Sequence, residues 1–226
     1  FFLVKKCLFR LFRSRKQTIF FNNIIYTICQ RSRYITVFTQ PLEEVDALNS
    51  RFRQFFQNPQ KILKKYIRPG MTVLDLGCGT GYFTLEIARL LNDNGKVIAV
   101  DVQKGMLDIL QQKLENRELK KLIEIHDGQE NRIDLSEKVD FILAFYSFHE
   151  MRYLDNIILD LTKIVKPETK ILISEQKLHV SKNRFNEIIA KIENNGFEVC
   201  ERPMIFFSRT VVMRMKQQRD TKSKLN

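Results

Sequence analysis

The chain has 226 residues, which is enough for one α/β domain with an appendage and too few for two full-sized enzyme domains. Its composition, 44% hydrophobic and 28% charged, excludes a disordered or fibrous protein. The formal net charge of +12 raises the question of an anionic partner. Eight of the positive charges lie in residues 1–42, which contain no Asp or Glu, so residues 43–226 carry only about +4.

Residues 1–42, here called the basic leader, are rich in Phe and Arg, and we exclude them from the fold prediction. Three interpretations stay open: an organelle transit peptide, an amphipathic surface-binding segment, or sequence outside the native folded protein, because the chain begins with Phe. We expect an N-terminal helical segment over residues 43–70, the principal domain over 71–216 and a polar tail over 217–226.

The cysteines and the apolar runs indicate the environment of the protein. Four cysteines, Cys7, Cys29, Cys78 and Cys200, stand far apart, without a CxxC pair or a histidine at metal-ligand spacing. This pattern predicts reduced thiols, no disulfide framework and no zinc site. No apolar run reaches the roughly 18 residues of a membrane-spanning helix. We therefore predict a cytoplasmic protein without a transmembrane segment, with organelle targeting by the basic leader as the alternative.

From residue 58 onward, helix-like and strand-like patterns alternate. Apolar residues spaced by three and four indicate helices, and short apolar runs between turn signals indicate strands. The predicted elements, in chain order, are a helix after Pro59 that ends at Pro69-Gly70, a strand over 71–76, a helix over 82–91, a strand over 96–101, a helix over 106–114, strands over 122–126 and 139–145, a helix over 154–165, a strand over 170–175, a helix over 185–192, and strands over 197–202 and 205–213.

This alternation predicts a doubly wound α/β domain, with parallel strands, right-handed helical crossovers and helices on both faces of an open sheet. The last two strands are separated only by a few residues around Pro203, so they can pair only as antiparallel neighbours. Ligands of such sheets bind at the carboxyl ends of the strands, near the point where the strand order reverses. Functional residues are therefore expected in the loops that follow strands.

The segment Val73-Leu-Asp-Leu-Gly-Cys-Gly-Thr-Gly81 places three glycines at alternate positions between a predicted strand and a predicted helix. Glycine there lets the backbone turn sharply and approach a ligand, and the next helix presents unpaired N–H groups. Asp101 ends the second strand 20 residues after Gly81, where a carboxylate can accept hydrogen bonds from both ribose hydroxyls of a nucleoside. Loop and acid together predict a nucleoside cofactor.

The spacing of the loop separates two kinds of cofactor. A dinucleotide-binding loop has the pattern G-x-G-x-x-G, whereas this loop is G-x-G-x-G and carries Asp75 two residues before its first glycine. A carboxylate beside a pyrophosphate is repelled, whereas a carboxylate beside the ammonium group of a methionine moiety is attracted. The loop therefore favours a methionine-bearing nucleoside over a nicotinamide dinucleotide.

Over about residues 58–215 the chain resembles class I S-adenosylmethionine-dependent methyltransferases, and most closely the small-molecule methyltransferase domains of the ubiquinone and menaquinone biosynthesis type. The resemblance implies a Rossmann-like, doubly wound seven-stranded sheet, mostly parallel with an antiparallel last strand, which agrees with the pattern above. At Lys166-Pro167-Glu168-Thr169 the chain departs from the Lys-Pro-Gly-Gly that is usual in the family, far from the expected cofactor site.

The resemblance also implies S-adenosylmethionine as the cofactor and a role for each site residue. Gly77, Cys78, Gly79 and Gly81 surround its methionine portion, with Asp75 near the amino group; Asp101 binds the ribose; Val102, Gln103 and Met106 line the adenine edge; Asp127 and Gly128 lie near the adenine amino group; and Ala144, Phe145 and Tyr146 form the wall between cofactor and substrate.

Methyl transfer demands few catalytic groups. Because a sulfonium is already an excellent methyl donor, the enzyme chiefly aligns the nucleophile and excludes water, and a general base is needed only if the acceptor is protonated. Tyr146 and His149, just after the fourth strand and next to Glu150, are the candidate catalytic residues. A capping or packing role for His149 and a solvated helix-start role for Glu150 stay open, and no metal site is predicted.

The predicted function is methyl transfer from S-adenosylmethionine to a small-molecule acceptor by in-line displacement. The first alternative is an RNA methyltransferase, although the fourth strand ends in Ala-Phe-Tyr-Ser, without the Asn/Asp-Pro-Pro-aromatic element of base-amine methyltransferases. The second is a binding-only relative that has lost turnover, and the third is a nicotinamide oxidoreductase. Nucleic acid is not the expected partner, and the sequence determines neither the acceptor nor the oligomeric state.

Overall fold

The computed structural model describes residues 57–217, so the basic leader, the first part of the predicted helical segment and the tail beyond residue 217 lie outside the described residues. Two short 3-10 turns span Glu118–Leu122 and Phe148–Glu150. None of the helices within residues 57–217 is long and apolar enough to span a membrane. The helices and strands are α1 Pro59–Leu63, β1 Thr72–Leu76, α2 Thr84–Leu91, β2 Lys96–Asp101, α3 Lys104–Leu114, β3 Ile123–Asp127, β4 Val139–Phe145, α4 Leu154–Ile164, β5 Val165–Gln176, α5 Lys182–Asn194, β6 Phe197–Glu201 and β7 Ser208–Met215.

The seven strands form one sheet in the order β3-β2-β1-β4-β5-β7-β6. The neighbouring pairs from β3 to β5 are parallel, and β7 is antiparallel to both β5 and β6. The predicted seven-stranded, mostly parallel α/β sheet with an antiparallel last strand is confirmed. Because the strand order reverses between β1 and β4, the carboxyl ends of these two strands mark the place where such sheets bind ligands.

Apolar residues on the two faces of the sheet form separate core layers. Along β4, Ile142 and Ala144 face one layer while Phe141 and Leu143 face the other, because successive strand residues point to opposite faces. Helices α4 and α5 cover the first layer, and α1, α2 and α3 cover the second. With both faces buried, the loops at the carboxyl edge of the sheet are left to form the site.

Two strands are displaced from their predicted positions. β3 begins and ends one residue later than expected, so Asp127 is its last residue. β7 begins at Ser208 and not at residue 205. The reason lies in Phe207, whose φ of +56° places it in the left-handed region and interrupts the extended backbone just before the strand.

The stretch that departs from the family pattern, Lys166–Thr169, belongs to β5, which begins at Val165 and not at residue 170. Thr169 Oγ1 accepts the N–H of Lys166 at 2.8 Å and donates to the carbonyl oxygen of Val139 at 2.5 Å. These bonds tie the stretch to β4, although the register between the two strands shifts there. The departure therefore lies at the amino end of β5, opposite the carboxyl edge.

Candidate cofactor and acceptor site

The glycine loop, residues 77–81, lies between β1 and α2 where the strand order reverses. Its three glycines have φ values of +78° at Gly77, +54° at Gly79 and +85° at Gly81, a region that strains other residues. A Cβ at Gly77 would lie 2.4 Å from Ser147 Cβ, and one at Gly81 would lie 2.3 Å from Leu110 Cδ1. A Cβ at Gly79 would meet no atom within 4 Å. Gly77 and Gly81 thus allow close packing, and Gly79 leaves open space for a ligand.

Hydrogen bonds hold the glycine loop against β2. The first two N–H groups of the loop donate to the carbonyl oxygen of Val100 at 2.8 and 3.0 Å. Asp101 accepts the N–H of Gly79 on Oδ2 at 2.8 Å and the N–H of Gln103 on Oδ1 at 2.9 Å. Because each carboxylate oxygen has a further lone pair, Asp101 can accept ribose hydroxyls in addition. The structure thus brings Asp101 to the glycine loop.

Asp75 is a buried acid, only 2% exposed, whose Oδ2 accepts the hydroxyl of Thr84 at 2.6 Å. Burial raises the pKa of Asp75 to about 7; the bond from Thr84 opposes this rise, and the negative charge of Asp101 adds to it. A cation bound beside the two acids would lower this pKa and favour the ionised carboxylate, whereas a phosphate would raise it further. The electrostatics therefore select a positively charged ligand.

Cys78 is 8% exposed and lines the glycine loop with a protonated thiol. Burial raises the pKa of this thiol well above its usual range, and the negative charges of Asp75 and Asp101 raise it further. Only the thiolate is a good nucleophile, so the protonated Cys78 is not a reactive group. It contributes apolar surface to the glycine loop.

Ser147 is a site residue that the sequence analysis missed. Its hydroxyl is buried and has no hydrogen-bond partner within the described residues, and its Cβ packs against Gly77. Buried hydroxyl groups nearly always have a partner, so an orphaned one beside the glycine loop indicates a polar ligand group. The available signal was its position two residues beyond the end of β4.

The residues predicted at the adenine lie around the carboxyl ends of β2 and β3. Asp101 and Asp127 stand side by side in the register of these strands. The N–H of Gly128 donates to the carbonyl oxygen of Asp101 at 2.9 Å. Val102 is 51% exposed, and Met106 lies in the first turn of α3 and is partly buried. The structure thus brings Asp127 and Gly128 to Asp101.

The aromatic wall lies at the carboxyl end of β4. The ring of Phe145 packs against Phe83 and Tyr146, with centroid separations of 4.3 and 4.4 Å. Tyr146 has a φ of +65°, which is unusual for an aromatic residue, and its hydroxyl is hydrogen-bonded to Ser208 Oγ at 2.6 Å and to Gln57 Nε2. Phe145 and Tyr146 are therefore in contact with each other. The predicted wall residue Ala144 is buried in the core layer of α4 and α5.

His149 lies in the 3-10 turn after β4 and is held by Glu175, a fully buried acid at the end of β5. The His149 N–H donates to Glu175 Oε1 at 3.1 Å, and Nδ1 lies 2.6 Å from Oε2. Nε2 lies 3.6 Å from Glu150 Oε1. Within residues 57–217, no group of three His, Cys, Asp or Glu side chains is arranged to hold a metal ion.

Three observations describe the ligand that fits this site. Two acids, Asp75 and Asp101, favour a cation and disfavour a phosphate. The open space at Gly79 admits a ligand close to the backbone, and the hydroxyl of Ser147 needs a polar partner. A compound with ammonium and sulfonium groups and a ribose, such as S-adenosylmethionine, meets all three demands.

Comparison with known proteins agrees with this geometry. A family model described as a methyltransferase domain matches residues 67–224, which is more than two thirds of the chain. A demethylmenaquinone methyltransferase from Lactobacillus johnsonii is 27% identical over 143 residues, which are 62% of this chain and 59% of the relative. The chain thus spans about three fifths of the length of the curated relatives it matches.

Solved structures share the fold. A SAM-dependent methyltransferase from Aquifex aeolicus has a TM-score of 0.67 and 27% identity, and the match covers 76% of this chain and 97% of that one. A chain from Clostridium thermocellum assigned as an rRNA methylase has a TM-score of 0.56 and 18% identity over 71% of this chain and 95% of its own, which shows the fold alone. The chain therefore belongs to the methyltransferase-domain family, with the fold of class I S-adenosylmethionine-dependent methyltransferases.

Proposed function

We propose that this methyltransferase transfers the methyl group of S-adenosylmethionine to a small-molecule acceptor by in-line displacement. The observation that carries the proposal is that two acids, Asp75 and Asp101, lie at the glycine loop, where Gly79 leaves open space for a ligand. Bound there, S-adenosylmethionine supplies an electrophilic methyl group on a sulfonium. The protein then has to bind the reactants, orient them and exclude water.

The cofactor is held by groups at the carboxyl ends of β1 and β2 and in the loop after β4. Asp75 binds the ammonium group, which brings the pKa of this acid down from about 7 and ionises it. Asp101 accepts the ribose hydroxyls on the lone pairs that its two backbone N–H bonds leave available. The hydroxyl of Ser147, which has no hydrogen-bond partner within the described residues, binds the methionine portion, because the Cβ of Ser147 lies against Gly77.

The adenine is placed at the carboxyl ends of β2 and β3. Asp127 lies next to Asp101 in the sheet, and Gly128 keeps the backbone close to it. Val102 and Met106, which follow Asp101 in the chain, provide apolar surface for the edge of the base. This arrangement separates the polar recognition of ribose from the apolar recognition of adenine.

The acceptor binds beside the aromatic wall. The ring of Phe145 contacts the rings of Phe83 and Tyr146 in a tilted arrangement, and the three rings exclude water from the reacting centre. The hydroxyls of Tyr146 and Ser208 are hydrogen-bonded to each other and orient a polar group of the acceptor. His149 is the candidate base for an acceptor that must lose a proton.

We propose a quinone-type ring compound as the first acceptor to test, because the curated relatives are named demethylmenaquinone methyltransferases. RNA is the second candidate, because a neighbour of the same fold is assigned as an rRNA methylase. Against RNA, eight of the positive charges lie in the basic leader and not in the domain that holds the site. A cytoplasmic location stays a prediction.

Calorimetric titration of S-adenosylmethionine and S-adenosylhomocysteine into the full chain tests the cofactor site. We expect saturable binding of both, no displacement by NAD, and at least a tenfold weakening, about 1.4 kcal/mol, in Asp101→Ala. The matched control is Asp108→Ala, an exposed acid of α3 paired with Lys104, which leaves the affinity unchanged. Absence of binding by the folded wild-type chain would refute the proposed function.

A methyl-transfer assay with labelled S-adenosylmethionine then compares two acceptors, demethylmenaquinone in its reduced form and total RNA. Labelled product from the quinol alone supports the small-molecule proposal. Product from RNA alone supports the second candidate. Tight cofactor binding without turnover on any acceptor would favour the binding-only relative.

A further inference from the structure

The pair formed by Glu175 and His149 has a defined proton arrangement. Both oxygens of Glu175 face His149, one at the backbone N–H and one 2.6 Å from Nδ1. An ionised carboxylate can only accept hydrogen bonds, so a carboxylate at this place requires the ring hydrogen on Nδ1. In the neutral imidazole the other ring nitrogen, Nε2, is then a lone-pair acceptor.

The loop that carries His149 also borders the glycine loop. Ser147, two residues before His149, contacts Gly77. The N–H of Tyr146 donates to the carbonyl oxygen of Ser174 at 2.8 Å, which places Glu175 at the same edge of the sheet. The side chain of His149 is 12% exposed and that of Glu175 is not exposed at all. Because Nδ1 is paired with Glu175, Nε2 is the ring nitrogen left to an acceptor, and it lies 3.6 Å from Glu150 Oε1.

Polar groups from four segments of the chain surround His149. Glu175 belongs to β5 and Glu150 to the same 3-10 turn, while the ring of His179, from the segment after β5, contacts His149 at 4.8 Å between centroids. Burial disfavours the charged imidazolium, but the hydrogen bond and the charge of Glu175, helped by Glu150, outweigh burial and raise the pKa of His149. Arg184 of α5 acts in the opposite direction.

We propose that Glu175 is a positioning residue that fixes His149 in the Nδ1–H tautomer, so that His149 Nε2 accepts the proton of an acceptor hydroxyl during methyl transfer. The inference rests on the proposed function and specifies its acceptor as a compound whose reacting group is a phenolic or enolic hydroxyl. Such a hydroxyl, with a pKa near 10, is protonated at neutral pH and needs a base. A neutral amine attacks without one.

The step balances without a further reactant. The acceptor oxygen forms a bond to the methyl carbon. If the ring carbon that its ionisation activates forms this bond instead, the hydrogen on that carbon then moves to the oxygen and the aromatic ring is restored. The bond from that carbon to the sulfonium sulfur breaks and leaves its electron pair on sulfur. His149 Nε2 takes the proton, and the imidazolium that results is stabilised by the carboxylate of Glu175.

Nitrogen-15 NMR of the full chain tests the positioning role without any acceptor. The chain has three histidines, and His149→Gln and His179→Gln identify the signals. We expect the Nδ1–H tautomer at His149 and a pKa above the ordinary value. In Glu175→Gln the pKa of His149 falls and the tautomers mix, whereas Glu175→Asp restores part of the shift. An unchanged pKa and tautomer in Glu175→Gln would overturn the proposal.

Turnover tests the choice of acceptor, with naphthohydroquinone as the hydroxyl probe and naphthylamine as the amine on the same ring system. We expect methylation of the hydroxyl probe, at least a 100-fold fall of kcat in His149→Gln and roughly a 10-fold to 100-fold fall in Glu175→Gln. The control Asp108→Asn, at an exposed acid of α3, stays within about twofold of wild type. Methylation of the amine alone would overturn the acceptor class.

The dependence of kcat on pH distinguishes a positioning role of Glu175 from a purely structural role in the loop that carries His149. In the wild type, kcat rises with pH through the raised pKa of His149. In Glu175→Gln this acid limb moves to lower pH while the plateau falls, and the Kd of S-adenosylmethionine stays within about twofold. A structural role alone would weaken cofactor binding and leave the limb in place. If the wild type bound no S-adenosylmethionine, the proposed function would fail, whereas normal binding with an unmoved acid limb refutes only this inference.

Discussion

We compare the half of the molecule proposed to bind the cofactor, from β1 to β3 and here called the cofactor half, with the half proposed to bind the acceptor, formed by β4, β5 and β7 and here called the acceptor half. In the cofactor half, Asp75 binds a partner nine residues away and Asp101 binds one 22 residues away. In the acceptor half, His149 and Glu175 are 26 residues apart, and Tyr146 and Ser208 are 62 apart. A backbone motif within one short segment thus contributes most of the cofactor half, to which Ser147 adds a long-range contact with Gly77, whereas side chains from separate strands build the acceptor half.

The largest effect is expected in the cofactor half, from Gly77→Ala. The new Cβ would lie 2.4 Å from Ser147 Cβ at a φ of +78°. Strain and overpacking together destabilise the fold by about 2–5 kcal/mol, and S-adenosylmethionine binding is lost. The control is Gly105→Ala in α3, where a Cβ meets nothing within 4 Å; it should stabilise by about 0.5–1 kcal/mol. Urea denaturation measures both, and equal stability of the two variants would contradict the role assigned to Gly77.

An intermediate effect is expected from Asp75→Asn, and it depends on pH. The folded protein holds the pKa of Asp75 at about 7, above the value of 3.8 for an unperturbed carboxyl. The native state therefore binds more protons than the unfolded state in this window, and stability falls as pH rises. Between about pH 5 and pH 8 the wild type should lose roughly 2–3 kcal/mol that Asp75→Asn retains.

Denaturation of cofactor-free protein at the two pH values checks this, with Asp108→Asn as the exposed control. Adding S-adenosylmethionine should flatten the wild-type dependence, because the bound cation ionises Asp75. A wild-type stability that does not fall with pH would show that Asp75 is ionised without a ligand.

The smallest effect on stability is expected in the acceptor half, from Tyr146→Phe. The change removes the hydroxyl that is bonded to Ser208 and to Gln57 and should destabilise by about 1 kcal/mol. Cofactor affinity should stay the same while turnover falls about tenfold, because the acceptor loses an orienting group. Ser208→Ala should give the same pattern, and the double variant should add little. Loss of cofactor affinity in Tyr146→Phe would show that the two halves are not separate.

The cofactor half was open to sequence analysis because its groups lie in short stretches. The loop over residues 73–81, the acid Asp101 at a strand end and the pair Asp127-Gly128 each follow a predicted strand, and parallel strands bring their carboxyl ends together. The sequence alone does not show that the three glycines of the loop have different roles. Only the tertiary contacts show that Gly77 and Gly81 pack closely while Gly79 is open.

The acceptor half was harder to predict from the sequence for a physical reason. Glu175 and Ser208 belong to strands far along the chain from β4, and no local pattern links them to His149 or Tyr146. An acid at the end of a buried strand is the signal for Glu175. Which residue Glu175 contacts depends on the strand order, in which β5 lies between β4 and β7.

The position of β7 has a consequence for how the chain acquires its structure during synthesis. Within residues 57–217, β7 is the last strand along the chain, but it lies inside the sheet, between β5 and β6. Until residues 208–215 emerge from the ribosome, β5 presents an unpaired edge, which is a surface prone to wrong pairing. The strands of the cofactor half are all synthesised early. The hydrogen bond between Tyr146 and Ser208, by contrast, can form only after nearly all of residues 57–217 have been synthesised.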